Sequence, residues 1–467
     1  MGLLPLLDIA RSGLLAHEYG LSVIGNNIAN VQTPGYTRQR AMLASVSGGL
    51  GPYGLPVPGG VRVAGLEQLL DGFLDRRRRL ATSDASGGAA RRDALGALGS
   101  LVDEVSNPSL SAAVNDFFDA AEALQRNPAG IAERQQLLAR AGAVASELAR
   151  RTSGIAAQQR EADDRVTALV TRANDDLARI ADLNTRIGAS AAEGPGAASA
   201  LVDERSRVLQ DLAGVLPVEV TQRSDGGISV SAGGATLVDG GAIVQQLGIA
   251  AGSPGLDGLP LHQVGIAGAG GTLVGVPGLG AHGELGALLT VRDQDLATAA
   301  SNLDTFAAAF AGAVNGVQTS AGAVDLDGNP TAGVPLFTGT TAATLAVAIT
   351  DPRRIAAAGS LAPGDNQNAM ALAALRTTAQ AGLGNLTFTG WIGGEQTRIA
   401  GDVADADAAA RSAELWANEA EAQHDAVSGV SLEEELTNLL AVQRAFQASS
   451  KLVSVADEVL DDLMQMV

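Results

Sequence analysis

The sequence predicts a mixed α and β fold: long terminal α-helices forming a coiled-coil or bundle core, with β-rich domains inserted between its halves. Three observations carry this expectation. Apolar residues recur at alternating steps of three and four near both ends, the spacing of a coiled-coil seam. At Val215 the texture changes to short alternating runs between glycine pairs, as strands require. Helical periodicity then returns and continues to Val467. The chain's 467 residues are too many for one compact core, so two to four domains are expected.

Taken in order, Leu7, Ala10, Leu14, His17, Leu21, Ile24, Ile28 and Val31 mark the first helix, which should end near Asn30. Thr33-Pro34-Gly35-Tyr36 follows, with Pro second and Gly third, as a type II turn requires. Residues 1–46 thus form an N-terminal assembly helix and turn. Ser47 to Gly60 is rich in Gly and Pro and reads as a loop, and Val61-Arg62-Val63 as a short strand. Helix is expected from Leu66, with breaks, to Gly188. A shorter helix should run from about Ala197 to Ala213, closed by Gly214. Residues 47–214 are therefore the first part of a helical rod. Val218-Glu219-Val220, Ile228-Ser229-Val230, Thr236-Leu237-Val238 and Ile243-Val244 place a β-rich insert at 215–283. The rod returns over 284–323, a smaller mixed insert spans 324–402, and 403–430 completes the rod. In that last part helix resumes near Asp405 and breaks at Ser428-Gly429.

Residues 431–467 are the C-terminal assembly helix. Its expected seam is Leu432, Leu436, Leu439, Gln443, Phe446, Ser450, Val453, Asp457, Leu460, Met464 and Val467. Ser431 and Glu434 match the S-x-x-E capping box. Polar seam positions such as Gln443, Ser450 and Asp457 cost stability but specify register. Neither terminal stripe has a partner nearby in sequence, so its cover must be the other terminus, a neighbouring subunit, or both. Asn26, Asn27 and Asn30 cluster before the Pro-Gly turn, which favours a shaped junction. The candidate assembly-interface residues are Leu7, Leu14, Leu21, Ile24, Asn27, Ile28, Asn30, Pro34, Gly35, Tyr36, Leu432, Leu436, Leu439, Phe446, Val453, Leu460 and Met464.

Composition excludes several functions. A formal net charge of −20 repels nucleic-acid phosphates. The chain has no cysteine, hence no disulfide and no thiolate metal site. No apolar run reaches the roughly 18 residues needed to span a bilayer. Met1-Gly2-Leu3-Leu4-Pro5 lacks a basic segment and cleavage site, so no cleaved signal peptide is expected. Aromatic residues are 3% and glycines number 58. Long Ala/Leu helices and Gly-rich strands fit that balance better than one dense core.

Gly25-Asn26-Asn27-Ile28-Ala29-Asn30 followed by Thr33-Pro34-Gly35-Tyr36-Thr37-Arg38-Gln39 resembles the N-terminal signature of the bacterial flagellar rod, hook and hook-associated axial proteins. Ser428 to Glu435, then Gln443-Arg444-Ala445-Phe446-Gln447-Ala448, is similar to their C-terminal signature. Leu201 to Arg205, Gly283 to Leu289, Arg292-Asp293-Gln294 and Asp325 to Pro330 with Pro335-Leu336-Phe337 resemble the hook-associated branch. Ala441 to Lys451 reads more like hook and rod proteins. The resemblance implies a structural subunit, not an enzyme, exported unfolded by the flagellar type III apparatus. It would polymerise through paired terminal helices at the junction between hook and filament, outside the cell. Implied partners are a ring of like subunits, the hook protein, a filament-side hook-associated protein and an export chaperone on the C-terminal helix. No nucleic acid, membrane or cofactor is implied. A hook or rod position in the same family is the alternative.

Other motifs carry less. Gly278-x-Gly280-x-x-Gly283 after Thr272-Leu273-Val274 fits a dinucleotide fingerprint. It lacks the second parallel strand ending in an acid, so a nucleotide-binding enzyme is only a remote alternative. Asp325-x-Asp327-x-Asn329 begins like a calcium loop, but Leu336 stands where a bidentate Glu is needed; a turn stiffened by Asx side chains is expected. Arg76 to Arg79 is a basic run after Asp71 and Asp75. It reads as a solvated face or an intersubunit salt-bridge strip. His17, His262, His282 and His424 are scattered, and no G-x-S-x-G occurs.

Overall fold

The computed structural model describes residues 3–50, 56–103, 109–190, 198–268, 273–275 and 282–465. Helix α1 (Leu3–Ala29) leads into a hairpin of β1 (Gln39–Leu50) and β2 (Pro56–Gln68). Helices α2 (Gly72–Val102), α3 (Leu110–Arg126), α4 (Ile131–Ser190) and α5 (Ser199–Val215) follow. Next come seven strands: β3 (Glu219–Gln222), β4 (Ile228–Ala232), β5 (Ala235–Asp239), β6 (Ala242–Ile243), β7 (Leu247–Pro254), β8 (Pro260–Ala267) and β9 (Leu273–Val274). Helix α6 (Gly283–Thr290) passes through a π-helical turn, Val291–Asp295, into α7 (Leu296–Gln318). A short pair, β10 (Phe337–Thr338) and β11 (Ala346–Val347), precedes α8 (Gln367–Ala374). Then come α9 (Phe388–Ser428) and α10 (Leu432–Gln465). The architecture is the mixed one expected, helical at both ends with small sheets between.

Two hydrophobic cores lie along α4, which at ~1.5 Å per residue is about 90 Å long. The first half of α4, Leu137 to Ile155, packs with α3 and α7. The second half, from Val166, packs with α5, α6 and the β sheets. The strands form two antiparallel sheets, β3-β4-β5-β6 and β7-β8-β9. Each sheet is pinned to α4 by a buried side chain. Asn184 donates to the Ile228 and Gly240 carbonyls (3.0 and 2.8 Å) and accepts from Arg205 (2.8 Å). Asp163, fully buried, accepts from the His262 backbone (2.8 Å) and from Arg292 (2.6 Å). Arg292 sits in the π turn, where one extra residue per turn re-aims the side chain inward.

Several expectations are corrected. Ser47 to Gly60 is not a loop where described: β1 runs to Leu50 and β2 starts at Pro56, so the boundary drawn at 46/47 falls inside a strand. Glycines and prolines hid an alternation that pairing across the hairpin sustains. Helix starts at Gly72 rather than Leu66, capped by Asp71, whose carboxylate accepts from the Phe73 and Leu74 backbones. Helix α9 begins at Phe388, well before Asp405, with Thr387 as its N-cap; Gly393, Gly394 and Gly401 masked its helical signal. The stretch 324–402 is not looped out. Leu336, Phe337, Ile355, Leu372 and Phe388 enter the same core as α3 and α7. The few large anchors are concentrated: Phe117, Phe118, Phe306, Phe310, Phe337 and Phe388 form one knot, with centroids 5.2 to 6.4 Å apart in contacting pairs. Residues 276–281, which carry most of the Gly278 turn, lie outside the described residues.

Candidate assembly site at the root of the terminal helices

The two ends of the chain meet. A Cβ placed on Gly13 would lie 3.2 Å from the Ser449 hydroxyl, and one on Gly20 3.5 Å from a Val442 methyl. Asn27 bonds Glu435 at 3.1 Å. Residues 13, 20 and 27 thus step back along α10 as 449, 442 and 435, an antiparallel pair with a seven-residue repeat. The seam is lined by small side chains, including Ala10, Ala16 and Ala456, each at most 2% exposed. Glu435, Val442, Ser449 and Ala456 face α1, each one residue before the expected seam positions Leu436, Gln443, Ser450 and Asp457. On α10, Leu439, Phe446, Val453 and Leu460 are half-buried, while Gln443, Ser450 and Asp457 are exposed. The polar residues assigned to the seam therefore face outward. On α1, Ile24 is buried, and Leu7, Leu14, Leu21 and Ile28 are half-buried along the flank. Leu432 and Leu436 are about half exposed and Met464 is 79% exposed.

At the root of this pair the signature residues close a polar knot. The turn has the expected type II form: Tyr36 N–H donates to the Thr33 carbonyl (3.2 Å), and Gly35 takes φ 77°, a conformation open to glycine. Pro34 and Gly35 are exposed. Asn30 is half-buried and its amide ties back to Asn26 (2.9 and 3.0 Å). Asn27 uses its whole amide. It donates to the Gln39 carbonyl (2.8 Å) and to Glu435 (3.1 Å), and accepts from Gln39 N–H (3.1 Å) and the Tyr36 hydroxyl (2.8 Å). Arg38 reaches the start of α10, donating to Glu434 (2.6 Å) and Glu435 (2.7 Å). Glu434 is thus turned toward Arg38 rather than engaged in the expected capping box. The backbone joins in: Arg38 N–H donates to the Ser428 carbonyl (2.8 Å), and Leu69 N–H to the Arg38 carbonyl (3.0 Å).

A third segment completes the knot. Asp203, on α5, accepts from Gln68 (2.9 Å) and from Thr37. Burial pushes its pKa up from 3.8 to about 6, against the pull of those hydrogen bonds. Burial, then the Asp203 and Glu435 charges, pushes the Tyr36 hydroxyl up to about 12, so it stays a donor. Beside the turn an open cleft of ≈ 410 Å³ is lined by Asn30, Pro34, Tyr36, Ser199, Asp203 and Arg207, among others. Sequence reasoning quoted Arg38, Asp203 and Glu435 within signature patches but assigned them no contact. Gln68, Gly13 and Gly20 escaped it altogether, and Val442 and Ser449 were quoted only inside the stretch Ala441 to Lys451. Complementary charges 397 residues apart give no local signal.

The acid–histidine groups elsewhere are structural. Glu421, His424 and Asp425 offer ligand atoms within 4.8 Å of one another. A cation's place is already taken by the Arg78 guanidinium, 3.2 Å from His424 Nδ1 and 3.5 Å from Glu421. Asp325 stiffens its turn as expected, accepting from the Asp327 and Asn329 backbones (2.9 and 2.8 Å). Among the described residues no helix is long and apolar enough to cross a membrane.

A rod of packed helices whose two chain ends are knotted together, with polar side chains spent on positioning elements, defines a structural protein. Residues 95–337 match the family model described as flagellar hook-associated protein FlgK helical domain. Residues 7–37 and 422–466 match models described as flagella basal body rod protein and flagellar basal body rod FlgEFG protein C-terminal. The chain belongs to the FlgK family of flagellar hook-associated proteins. It is 31% identical to flagellar hook-associated protein 1 of Salmonella typhimurium over 69% of this chain and 58% of that relative. The Escherichia coli relative of the same name is 30% identical over 71% and 59%. These alignments span less than two thirds of those relatives' length. A Bacillus subtilis relative, also named flagellar hook-associated protein 1, is 25% identical over 98% of this chain and 97% of its own. In fold, the chain is similar to the flagellar hook junction protein FlgK from Burkholderia pseudomallei, with TM-score 0.64 and 16% identity, covering 76% of this chain and all of that one.

Proposed function

We propose that this chain is a structural subunit of the bacterial flagellum that polymerises through its paired terminal helices and forms the junction between hook and filament. The observation that carries this reading is the knot of Asn27, Tyr36, Arg38, Glu435 and Asp203. It pairs the ends while leaving Leu15, Leu432, Leu436, Leu440, Leu452 and Met464 exposed on the outer faces of α1 and α10. Apolar faces of that extent on paired helices call for further helices. The assembly contacts are the residues from Leu7 to Tyr36 and from Leu432 to Met464 named above. Its partners are like subunits in a ring, the hook protein, a filament-side hook-associated protein and, before assembly, an export chaperone on α10. The subunit acts outside the cell and performs no catalysis.

Replacing Leu436 and Phe446 with Asp tests this. The subunit should be secreted yet unassembled, with filaments shed or absent; normal filaments on such cells would refute the reading. A hook or rod position is favoured by one observation, the match of both termini to rod-protein models. Immunogold labelling separates the two: a thin band marks a junction, a long decorated segment a hook.

A further inference from the structure

Both hydrophobic cores lie between Ala90 and Ala406. Among the described residues, none from α1, the β1–β2 hairpin or α10 enters either core. Those four elements instead hold one another. The Ser12 hydroxyl accepts from Val61 N–H on β2 (3.1 Å). Asn27 ties α1 to Gln39 and Glu435 (2.8 and 3.1 Å), and the seam joins α1 to α10. They form a terminal module distinct from the rod. Bodies that share no apolar core move relative to one another by default. The rod is clamped on its own side of the joint, and the basic run belongs to that clamp. Arg77 donates to Gln423 (2.7 Å) and Arg78 to Glu421 (3.5 Å), while Asp75 meets His424 at 3.2 Å, fixing α2 to α9.

Residues 69–71, between β2 and α2, and 429–431, between α9 and α10, connect the two bodies. The linkers run side by side. The Arg38 backbone donates to the Ser428 carbonyl (2.8 Å) and accepts from Leu69 N–H (3.0 Å), bridging them. To one side of that bridge stands α5. There Asp203 accepts from Gln68 (2.9 Å) and from Thr37, and the Ser199 carbonyl accepts from Gln68 (3.2 Å). The cleft of ≈ 410 Å³ opens between the bodies, with Asn30, Pro34 and Tyr36 on the module side and Ser199, Asp203 and Arg207 on α5. It gives the module clearance to turn.

We propose that residues 69–71 and 429–431 form a double hinge on which the terminal module pivots against the rod, and that Asp203, with Gln68 and Thr37, is the latch that sets its angle. A few linker residues suffice to absorb such a rotation. Helix α10 has 34 residues, about 50 Å at 1.5 Å per residue, so a small turn at the root is magnified at the tip. The device operates in the single chain, with or without assembly. Because the chain has no cysteine, introduced cysteine pairs carry spin labels cleanly, and electron–electron distance measurements on full-length monomer test it. Thr171→Cys on α4 with Gln447→Cys on α10 spans the joint. Glu18→Cys on α1 with Gln447→Cys lies within the module, and all three positions are exposed. The spanning pair should give one narrow distance in the otherwise unaltered chain. Asp203→Ala and Gln68→Ala should each raise the population at other distances by about tenfold, while the pair inside the module keeps its distance. A spanning distance unmoved by both substitutions, or already broad before them, would overturn the latch. Equal broadening inside the module would overturn the hinge, because the terminal helices would then be separating rather than swinging together.

Discussion

At the scale of single residues, the root of the terminal helices depends on side chains whose partners are interchangeable with nothing similar. Asn27 spends two donors and two acceptor sites; an aspartate there would lose both donors and face the Glu435 carboxylate. Arg38 neutralises Glu435, which is 2% exposed, and a buried charge that loses its partner costs about 3–5 kcal/mol. None of this was legible beforehand beyond a cluster of asparagines before a turn, because the partners come from segments hundreds of residues apart. Asp203 makes the knot sensitive to pH. Its folded pKa, about 6, lies above the ordinary 3.8 because burial disfavours the charged form. The native state therefore binds a proton that the opened state has released. The resulting stabilisation is full below pH 3.8 and is lost as pH rises through 6. Hydrogen exchange at Thr37–Gln39 should show more protection at pH 4.5 than at pH 7, after correction for intrinsic exchange rates. Asp203→Asn should flatten that difference, and an unchanged slope in the variant would assign it to other groups.

At the scale of elements, helices with an uninterrupted apolar stripe were legible, while the glycine-rich start of α9 was misread. Helix α4 was foreseen almost to its end because Val166, Leu169, Ala173, Leu177 and Ile180 repeat without a break. The start of α9 and the β1–β2 hairpin were missed because Gly and Pro weaken local propensity while tertiary pairing overrides it. The terminal seam shows the same physics at finer grain. Heptad spacing placed Leu14, Leu21 and Gln443 at the interface. Close approach instead selects the smallest residues, since a Cβ on Gly13 would already meet the Ser449 hydroxyl at 3.2 Å. Gly20→Leu should push α1 from α10 and speed proteolysis of both ends, by about tenfold for each ~1.4 kcal/mol lost. Gln443→Leu, on the exposed side, should leave cleavage unchanged within twofold. Equal effects from the two would return the seam to the position first expected.

At the scale of the molecule, apolar burial is divided unequally, and order should follow it. The aromatic knot and the β-sheet side of α4 contain nearly all residues with no exposure, among them Phe117, Phe310, Leu137, Val166, Leu177 and Val230. The α1–α10 pair has none among its described residues: Ala10, Ala16 and Ala456 are buried but small, Val23 and Ile24 keep 8% exposure, and each alanine buries little area at roughly 25 cal/mol per Å². Leu436, Leu440, Leu452, Val455 and Val459 remain in solvent. The pair is thus held by its polar root and a thin seam, while a subunit packed among others would cover its outer faces. Local opening free energies should rank accordingly. In dilute monomer, amides of α1 and of Leu439 to Leu460 should exchange at least a hundredfold faster than those of Leu137 to Ile155, a gap of about 2.7 kcal/mol. On incorporation into flagella the gap should close from the α10 side, because mass action from neighbouring subunits stabilises only the paired state. Equal protection of the terminal pair and the α4 cores in monomer would mean that the seam alone suffices. The exposed leucines would then need some explanation other than assembly.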